Sequence, residues 1–392
     1  MSPFSSRTPR SFQPNRLSAR AAGLRQAGAP LIDLTLSNPT QADFAYPDRE
    51  VMEALGDARA LRYEPSPRGH PETRRAIAGW HGRHAAAVDP DHLVLTSSTS
   101  EAYSWLFKLL CEPGSAVMTP RPSYPLFECL ADLEAVRAVQ YPLPGHWGWR
   151  LDVPELEAHL DPRARAVVVV NPNNPTGTYL RAEEWLRLQE FAAMRGLAVI
   201  ADEVFFDYAW RPSVPRVSAL QGPHLALTFT LSGLSKTAAL PQMKLGWIHV
   251  AGPGGLQREA LERLEWIADA YLSASAPVQL AVPRWLELAP QMQARILERV
   301  LGNLEALRAR LEAASAWRVA GGEGGWTAVL EAPRIHTGEQ WALRCLEEAF
   351  VLVQPGYFYD FEHEAFLALS LLPAPERFVE ALGRLEQIFR SI

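Results

Sequence analysis

The chain has 392 residues, 48% of them hydrophobic, and a formal net charge of −6 at pH 7, which suits a folded protein of about two domains. The acidic balance excludes a basic nucleic-acid footprint, and no apolar run has the length of a membrane span or a secretory signal. The three cysteines are scattered without metal or redox spacing. We therefore expect a cytoplasmic protein with no metal site and with neither nucleic acid nor membrane as a partner.

The middle of the chain alternates between strand-like and helix-like segments. Residues 93–95 are apolar, and residues 166–170 and 197–201 are the unbroken apolar runs that are typical of buried strands. Residues 182–194 are rich in helix formers, and residues 225–231 predict a further strand. This order predicts an α/β fold in which helices cover both faces of a mostly parallel sheet.

The C-terminal third predicts a smaller α+β domain. Apolar residues recur at helical spacing from Ile296 to Leu311 and indicate one long amphipathic helix. A glycine-rich turn at residues 321–325 then precedes predicted strands at 326–330 and 350–353. We expect a large domain formed by residues 48–284 and a small domain formed by residues 1–47 and 285–392.

Lysine is rare in this chain, since only Lys108, Lys236 and Lys244 occur among 38 lysine and arginine residues. Guanidinium stays charged, whereas a buried amine readily loses its proton and attacks a carbonyl. Lys236 is therefore a candidate Schiff-base lysine. The alternative on residue identity alone is a surface lysine, and that interpretation suits Lys108 on its apparent helix.

Polar residues follow the predicted strands at their carboxyl ends, where such sheets bind ligands. Residues 171–177 follow the first apolar run, Asp202 follows the second, and Lys236 follows the last strand. A lysine imine becomes an effective catalyst with pyridoxal phosphate, whose protonated ring withdraws electrons from the substrate. Asp202 could keep the ring nitrogen protonated by charge pairing, although a lone aspartate at a strand end is commonly a cap or turn residue.

A hydroxyl-rich segment, residues 96–100, follows the strand at 93–95 and opens a helix, which favours anion binding. Ser98 and Thr99 are candidates for holding a phosphate, with Ser235 and Lys244 closing from the other side. A simple helix N-cap is the alternative for this cluster. Tyr124 is available to stack on a ring, and its alternative is a core tyrosine.

These segments together resemble the class I/II aminotransferases of fold type I, which use pyridoxal 5′-phosphate. The resemblance is carried by residues 33–39, 63–69, 96–102, 120–125, 171–177, 202–204, 235–236, 244–246 and 355–356. The order and spacing of Asn174, Asp202, Lys236 and Lys244 form its specific part. It implies a large domain with a mostly parallel sheet of the seven-stranded type, a smaller α+β domain, and a homodimer with shared active sites.

The resemblance also implies roles for single residues. Lys236 would form the internal aldimine and move the α-proton, and Asp202 would pair with the pyridinium nitrogen. Asn174 would hydrogen-bond the phenolic oxygen, and Tyr124 would stack on the ring. The remaining expected contacts are Ser98, Thr99, Ser235 and Lys244 to the phosphate, Tyr63 to the phosphate of the neighbouring subunit, and Ser37 and Asn38 to the substrate.

Four positions depart from the family pattern. Phe205 stands where a tyrosine would assist Asn174, and Gly233 stands where a serine would bind phosphate. Lys244 replaces an arginine and loses its bidentate fork. Ala368 stands where the family has the arginine that clamps the substrate α-carboxylate.

Two explanations of Ala368 remain open. Another arginine, with Arg16, Arg68 and Arg121 as candidates, binds the carboxylate, or the substrate has no carboxylate at that position. The resemblance implies transfer of an amino group from a small-molecule donor to a 2-oxo acid or other carbonyl acceptor. The departures keep a lyase, decarboxylase or oxidase of the same fold as an alternative.

A non-catalytic ligand sensor is a hypothesis of another class, because this fold also occurs fused to DNA-binding domains. The sequence enters the enzyme-like region almost at once, so we expect no helix-turn-helix module ahead of it.

Overall fold

The computed structural model describes residues 4–9, 13–84, 87–312 and 316–390. The helices in these ranges are α1 (Arg16–Gln26), α2 (Asp48–Glu53), α3 (Pro71–His81), α4 (Thr99–Leu110), α5 (Leu126–Leu133), α6 (Val153–Ala158), α7 (Ala182–Arg195), α8 (Leu234–Thr237), α9 (Gly254–Tyr271), α10 (Ala276–Glu312), α11 (Gly338–Glu348) and α12 (Pro375–Arg390). Within the described ranges, no helix combines the length and apolarity needed to cross a bilayer.

The strands in the same ranges are β1 (Ile32–Asp33), β2 (Leu93–Thr96), β3 (Ala116–Arg121), β4 (Arg137–Pro142), β5 (Ala164–Val170), β6 (Ala198–Asp202), β7 (Thr228–Gly233), β8 (Gly246–Ala251), β9 (Arg318–Val319), β10 (Thr327–Glu331), β11 (Val351–Leu352), β12 (Gln354–Pro355) and β13 (Phe366–Ser370). Seven of them form the central sheet in the order β2-β8-β7-β6-β5-β3-β4. Only β8 runs antiparallel to its neighbours, so the predicted mostly parallel sheet is confirmed.

The unbroken valine run of β5 follows from burial on both faces. Val167 and Val169 belong to a core layer that includes Trp185 of α7, whereas Val168 and Val170 belong to the layer on the opposite face, beneath α4 and α5. Because side chains alternate across a strand, a strand with two covered faces needs apolar residues at every position. Because β5, β6 and β7 run parallel to one another, the polar residues that follow them lie at one edge of the sheet.

Helix α10 begins at Ala276, well before the helical pattern predicted from Ile296. The first half of α10 was not predicted because Pro283 and Pro290 lie inside it, and proline removes a backbone hydrogen bond from a helix. Burial of neighbouring side chains such as Trp285 compensates. The predicted domain boundary at 284/285 falls within this continuous helix, so the two-domain division stays a prediction.

The smaller sheet is antiparallel, with the order β12-β13-β10-β9, and α11 packs against β12 and β13. Strand β1 pairs in parallel with β11 and so ties the N-terminal segment to the C-terminal region. That segment continues along β13, because the backbone N–H of Ser370 donates to the carbonyl oxygen of Leu34 at 2.7 Å. The predicted α+β character of the C-terminal region is confirmed, and residues 34–37 are brought next to its sheet.

Candidate active site

A cavity of about 620 Å³ lies at the carboxyl ends of the parallel strands of the central sheet. Val170, Asp202 and Gly233, the last residues of β5, β6 and β7, all line it. The small sheet contributes Thr327 and Ser370 from the opposite side. The cavity therefore lies between the two sheets, at the edge where the sequence predicted a ligand site.

Asp202 is buried at the floor of this cavity. Its Oδ2 accepts a hydrogen bond from the Tyr103 hydroxyl at 3.0 Å, and its Oδ1 accepts one from the Val204 backbone N–H at 3.2 Å. Burial raises the pKa of the Asp202 carboxyl to about 6, although the two hydrogen bonds and Lys236 act in the opposite direction. The carboxylate is therefore ionised at neutral pH and poorly solvated, which is a strong position for binding a cation.

Lys236 lies in the single-turn helix α8 directly after β7. The Tyr208 hydroxyl donates to the Lys236 carbonyl oxygen at 2.7 Å and fixes its backbone. Its Nζ lies 4.8 Å from the ring centroid of Trp326 and 5.3 Å from that of Phe205. Burial lowers the pKa of the Lys236 ammonium to about 8, against the opposing effect of Asp202. A neutral, nucleophilic amine is therefore accessible near physiological pH.

The N-terminus of α4 forms the polar end of the cavity. Ser98 is the N-cap, since its Oγ accepts the backbone N–H of Glu101 at 3.2 Å, and its hydroxyl proton is still available for a ligand. A Cβ at Gly246 would lie 3.0 Å from the Ser98 carbonyl carbon and 3.1 Å from the Thr99 nitrogen, so only glycine lets β8 approach this turn. Thr99, Ser235 and Lys244 line the same cavity.

The three asparagines after β5 have different environments. Asn171 donates to Glu203 Oε1 and to the Val217 carbonyl oxygen, both at 2.8 Å. Asn173 donates to the Pro122 carbonyl oxygen at 3.0 Å. Both side chains are buried and hold the loop, whereas Asn174 lines the cavity. Two asparagines thus support the loop that presents the third.

The fold brings most of the predicted site residues to this one cavity. Those lining it are Ser37, Ser98, Thr99, Tyr124, Asn174, Asp202, Ser235, Lys236 and Lys244. Asn38 is outside the lining, and its Oδ1 instead accepts the Thr40 backbone N–H at 3.0 Å. Tyr63 is 82% exposed and lines a separate cavity of about 600 Å³. Of the predicted set, Asn38 and Tyr63 are therefore the two that this cavity does not include.

Sequence reasoning missed three aromatic residues of the site. Tyr103 reaches Asp202 from the second turn of α4, Tyr208 fixes the Lys236 backbone, and Trp326 lines the cavity beside Lys236. Tyr103 could have been found, because it follows the hydroxyl-rich helix start by about one helical turn. Tyr208 and Trp326 depend on contacts between distant segments, which have no local signal.

Comparison with known proteins decides the family. The family model "Aminotransferase class I and II" matches residues 29–382. The chain belongs to this family. The resemblance seen in the sequence is thereby confirmed, and with it the use of pyridoxal phosphate as coenzyme.

Curated relatives match this chain over part of their length. The glutamate-pyruvate aminotransferase AlaA of Escherichia coli K12 is 28% identical over 263 residues, which are 67% of this chain and 65% of that protein. The alanine aminotransferase of Mycobacterium bovis is 28% identical over 267 residues, 67% of this chain and 61% of its own length. The matched part thus spans less than two thirds of either relative.

Solved structures agree with the fold over nearly the whole chain. An alanine aminotransferase from Pyrococcus furiosus superimposes with a TM-score of 0.87 at 22% identity and covers 96% of both chains. An aspartate aminotransferase mutant of Thermus thermophilus gives a TM-score of 0.85 at 24% identity, over 99% of this chain and 100% of that one. At this level of identity, the likeness establishes the fold.

The cavity's donor set fits the coenzyme. Lys236 offers an amine for its aldehyde, and Asp202 offers a buried carboxylate for its ring nitrogen. The N-terminus of α4, with Ser98 and Thr99, and the ammonium of Lys244 offer hydrogen bonds and positive charge for its phosphate. The ring nitrogen and the phosphate of the coenzyme thus each have a partner of opposite charge in this cavity.

Proposed function

We propose that the protein is a pyridoxal-phosphate-dependent transaminase. In the overall reaction, a donor carbon exchanges its amino group and one hydrogen for a carbonyl oxygen, and an acceptor carbon makes the reverse exchange. Atoms and electrons balance between the two substrates, so no external oxidant is needed. The observation that carries the proposal is the buried amine of Lys236, which shares one cavity with Asp202 and the N-terminus of α4.

The names of the relatives favour transamination over the other reactions of this fold. The Escherichia coli and Mycobacterium proteins are named as aminotransferases. A lyase, decarboxylase or oxidase would release ammonia, carbon dioxide or peroxide instead of passing on the amino group. These products therefore serve as the discriminating outcomes.

Asp202 is proposed to hold a proton on the ring nitrogen of the coenzyme. When bound, the coenzyme supplies an electron-withdrawing ring that stabilises negative charge on the substrate carbon. Asp202 sustains this effect because a buried carboxylate pairs strongly with a protonated ring nitrogen. Tyr103 orients the carboxylate through its 3.0 Å hydrogen bond and so acts as a positioning residue.

Lys236 is proposed to act as the general base. Its Nζ, once free, would take the proton from the substrate carbon and return it to the former aldehyde carbon of the coenzyme, which is bonded to the same nitrogen. The lowered pKa of about 8 suits this exchange, because a base is most effective when its pKa lies near the working pH. The Phe205 and Trp326 rings beside Nζ exclude water from the amine.

The other contacts expected from the sequence belong to the same proposal. Ser98, Thr99, Ser235 and Lys244 would hold the phosphate, with Lys244 acting as a single point charge. Asn174 would bind the phenolic oxygen, and Tyr124, which lines the same cavity as Asp202, would cover the coenzyme ring.

A homodimer in which Tyr63 serves the neighbouring site is also proposed, together with a cytoplasmic location. The exposure of Tyr63 on a surface cavity is compatible with such a contact.

The test is a product balance with purified, coenzyme-loaded protein and a panel of donors and carbonyl acceptors. Transamination predicts one aminated acceptor for each oxidised donor, with no carbon dioxide, free ammonia or peroxide. The Lys236→Ala variant is the background control. Formation of any of those three products in place of the aminated acceptor would contradict the proposal.

A further inference from the structure

One side of the cavity lies opposite the residues expected to bind the coenzyme. This side is an uncharged surface, which we term the substrate wall. It is formed by the N-terminal segment and the small sheet through Thr35, Ser37, Trp326, Thr327, Gln354 and Ser370. Phe358 and Tyr359 border it and add aromatic surface. A substrate held between the coenzyme and the small domain has to contact this wall.

The cavity has few charges, and none of them is on the substrate wall. Among the described residues that line the cavity, Asp202, Lys236 and Lys244 carry the formal charges, and no arginine is present. Arg16, Arg68 and Arg121 do not line it, and Arg68 instead forms an ion pair with Glu265 at 2.6 Å. None of the three arginines considered from the sequence therefore lines the cavity, although the Nε of Arg121, at the end of β3, is buried without a hydrogen-bond partner among the described residues.

Several polar groups on the wall already have partners. Ser370 Oγ donates to the Leu36 carbonyl oxygen and accepts the Leu372 backbone N–H at 3.2 Å. Thr35 Oγ1 donates to Asp33 Oδ1 at 2.6 Å. These side chains tie the wall together, so they are poor candidates for gripping an anion.

Among the described residues of the wall, the side chains of Gln354 and Trp326 each retain a neutral N–H donor. Gln354 Oε1 accepts from the Tyr359 hydroxyl, which leaves the Nε2 amide group as its donor. The indole N–H of Trp326 is buried and has no hydrogen-bond partner among the described residues, although the residue lines the cavity. A buried donor without a partner is unfavourable unless a ligand accepts its hydrogen bond. The wall therefore offers a substrate acceptor N–H donors that carry no formal charge.

Ala368 lies beside the substrate wall and contributes no charge to it. It pairs in register with Gln354 of β12 and Val329 of β10, and it lies on the same face of β13 as Ser370, which lines the cavity. Its methyl group is 1% exposed. No charge can come from this position, which adjoins the wall.

We propose that the carbon bearing the transferred amino group carries no carboxylate in the substrate of this enzyme. The substrate class is primary amines that carry a neutral acceptor such as a hydroxyl or amide oxygen, together with the matching aldehydes or ketones. A carboxylate on this wall would lose its hydration and gain only neutral donors, which do not compensate a buried charge. This inference rests on the transaminase function proposed above and specifies its substrate.

The first experiment compares matched donors in a single turnover, so that no acceptor has to be chosen. Coenzyme-loaded protein is mixed with alanine, alaninamide or 2-aminopropan-1-ol, and then with phenylalanine and phenylethylamine, and the carbonyl product is quantified. We expect the donors without a carboxylate to react at least ~10-fold faster per unit concentration.

The outcomes separate the two proposals. If the α-amino acids react faster than their partners, the substrate inference fails and transamination stands. If no amine and no amino acid yields a carbonyl product, the transaminase proposal itself fails and the inference with it.

The second experiment measures binding without turnover, by calorimetry with propanoate and propanamide as probes. The wild type is expected to bind propanamide at least as tightly as propanoate. The Ala368→Arg variant should bind propanoate at least ~10-fold more tightly than the wild type does, because a bidentate arginine pairs well with a carboxylate. Ala368→Gln is the control of similar reach without the charge, and it should show no such gain.

Clear preference of the wild type for propanoate would overturn the inference, because a cation would then reach the wall from elsewhere, including from a partner subunit. This comparison needs no variant, so it decides the question even if Ala368→Arg does not fold.

Discussion

The two ends of the cavity are built on different principles. The coenzyme end consists of residues that terminate the parallel strands and open α4, and it holds all three formal charges of the lining. The substrate wall consists of segments that are distant in sequence, and its groups are neutral. The difference indicates that the chemistry is fixed by the large sheet, whereas the choice of substrate is fixed by the way the N-terminal segment and the small sheet meet.

The largest expected effect is at Lys236. Lys236→Ala should lower turnover by about 10³-fold or more, because it removes both the attachment point and the general base. Lys108→Ala is the matched control, since Lys108 is paired with Glu134 at 2.5 Å away from the cavity and should leave turnover unchanged. Steady-state kinetics with the best donor checks both. If Lys236→Ala kept wild-type turnover, the chemistry could not be assigned to the coenzyme end of the cavity.

Asp202→Asn is expected to have opposite effects on activity and on stability. Turnover should fall by about 10²-fold or more, because the ring nitrogen loses its charged partner. In coenzyme-free protein the folded-state pKa of about 6 lies above the ordinary 3.8, so ionised Asp202 destabilises the fold.

The variant should therefore be more stable than the wild type by about 2–3 kcal/mol near pH 8, and this gain should shrink as the pH falls through about 6 towards 4. Denaturant unfolding of coenzyme-free protein at several pH values measures it. An equal stability difference at every pH would show that the carboxylate is not under strain.

Lys244 tests the phosphate contacts. Lys244→Met should weaken coenzyme binding by about 10- to 100-fold, as expected for one charge-assisted hydrogen bond. Lys244→Arg should retain most of the affinity because it keeps the positive charge. Equilibrium dialysis against pyridoxal phosphate gives both values. If Lys244→Met bound the coenzyme as tightly as the wild type does, the charge at this position would have no part in holding the phosphate.

The smallest expected effect is at Tyr103. Tyr103→Phe removes the hydrogen bond to Asp202, so the pKa of Asp202 should rise and turnover should fall by about 3- to 10-fold. In a plot of kcat/KM against pH for the coenzyme-loaded enzyme, the acidic limb should move to higher pH. Tyr141→Phe is a suitable control, because Tyr141 is equally buried but donates to the Val168 carbonyl oxygen. An unshifted limb in Tyr103→Phe would exclude a positioning role.

The sequence predicted the coenzyme end well because its signals are local. Apolar strand runs followed by Asn174, Asp202 and Lys236 place polar residues at one sheet edge, and Ser98 marks the helix start. The predicted sheet and the family are confirmed, whereas the roles of these residues remain predictions.

The substrate wall could not be predicted in the same way. Its position depends on the pairing of β1 with β11 and of β10 with β13, and these pairs join segments far apart in the chain. Each strand of the β1–β11 pair has two residues, which is too short for an alternating hydrophobic pattern to predict a strand. The long helix α10 was underestimated for a related reason, since tertiary packing overrides its two internal prolines.

The most direct test of the account is borohydride reduction of the coenzyme-loaded protein, followed by peptide mass spectrometry. The chain contains three lysines, so Lys108 and Lys244 serve as internal controls in the same digest. If Lys236 forms the imine, the coenzyme should be fixed to Lys236 in nearly stoichiometric amount, and the other two lysines should be unmodified. Recovery of an unmodified Lys236 peptide from protein that has been saturated with the coenzyme would contradict it.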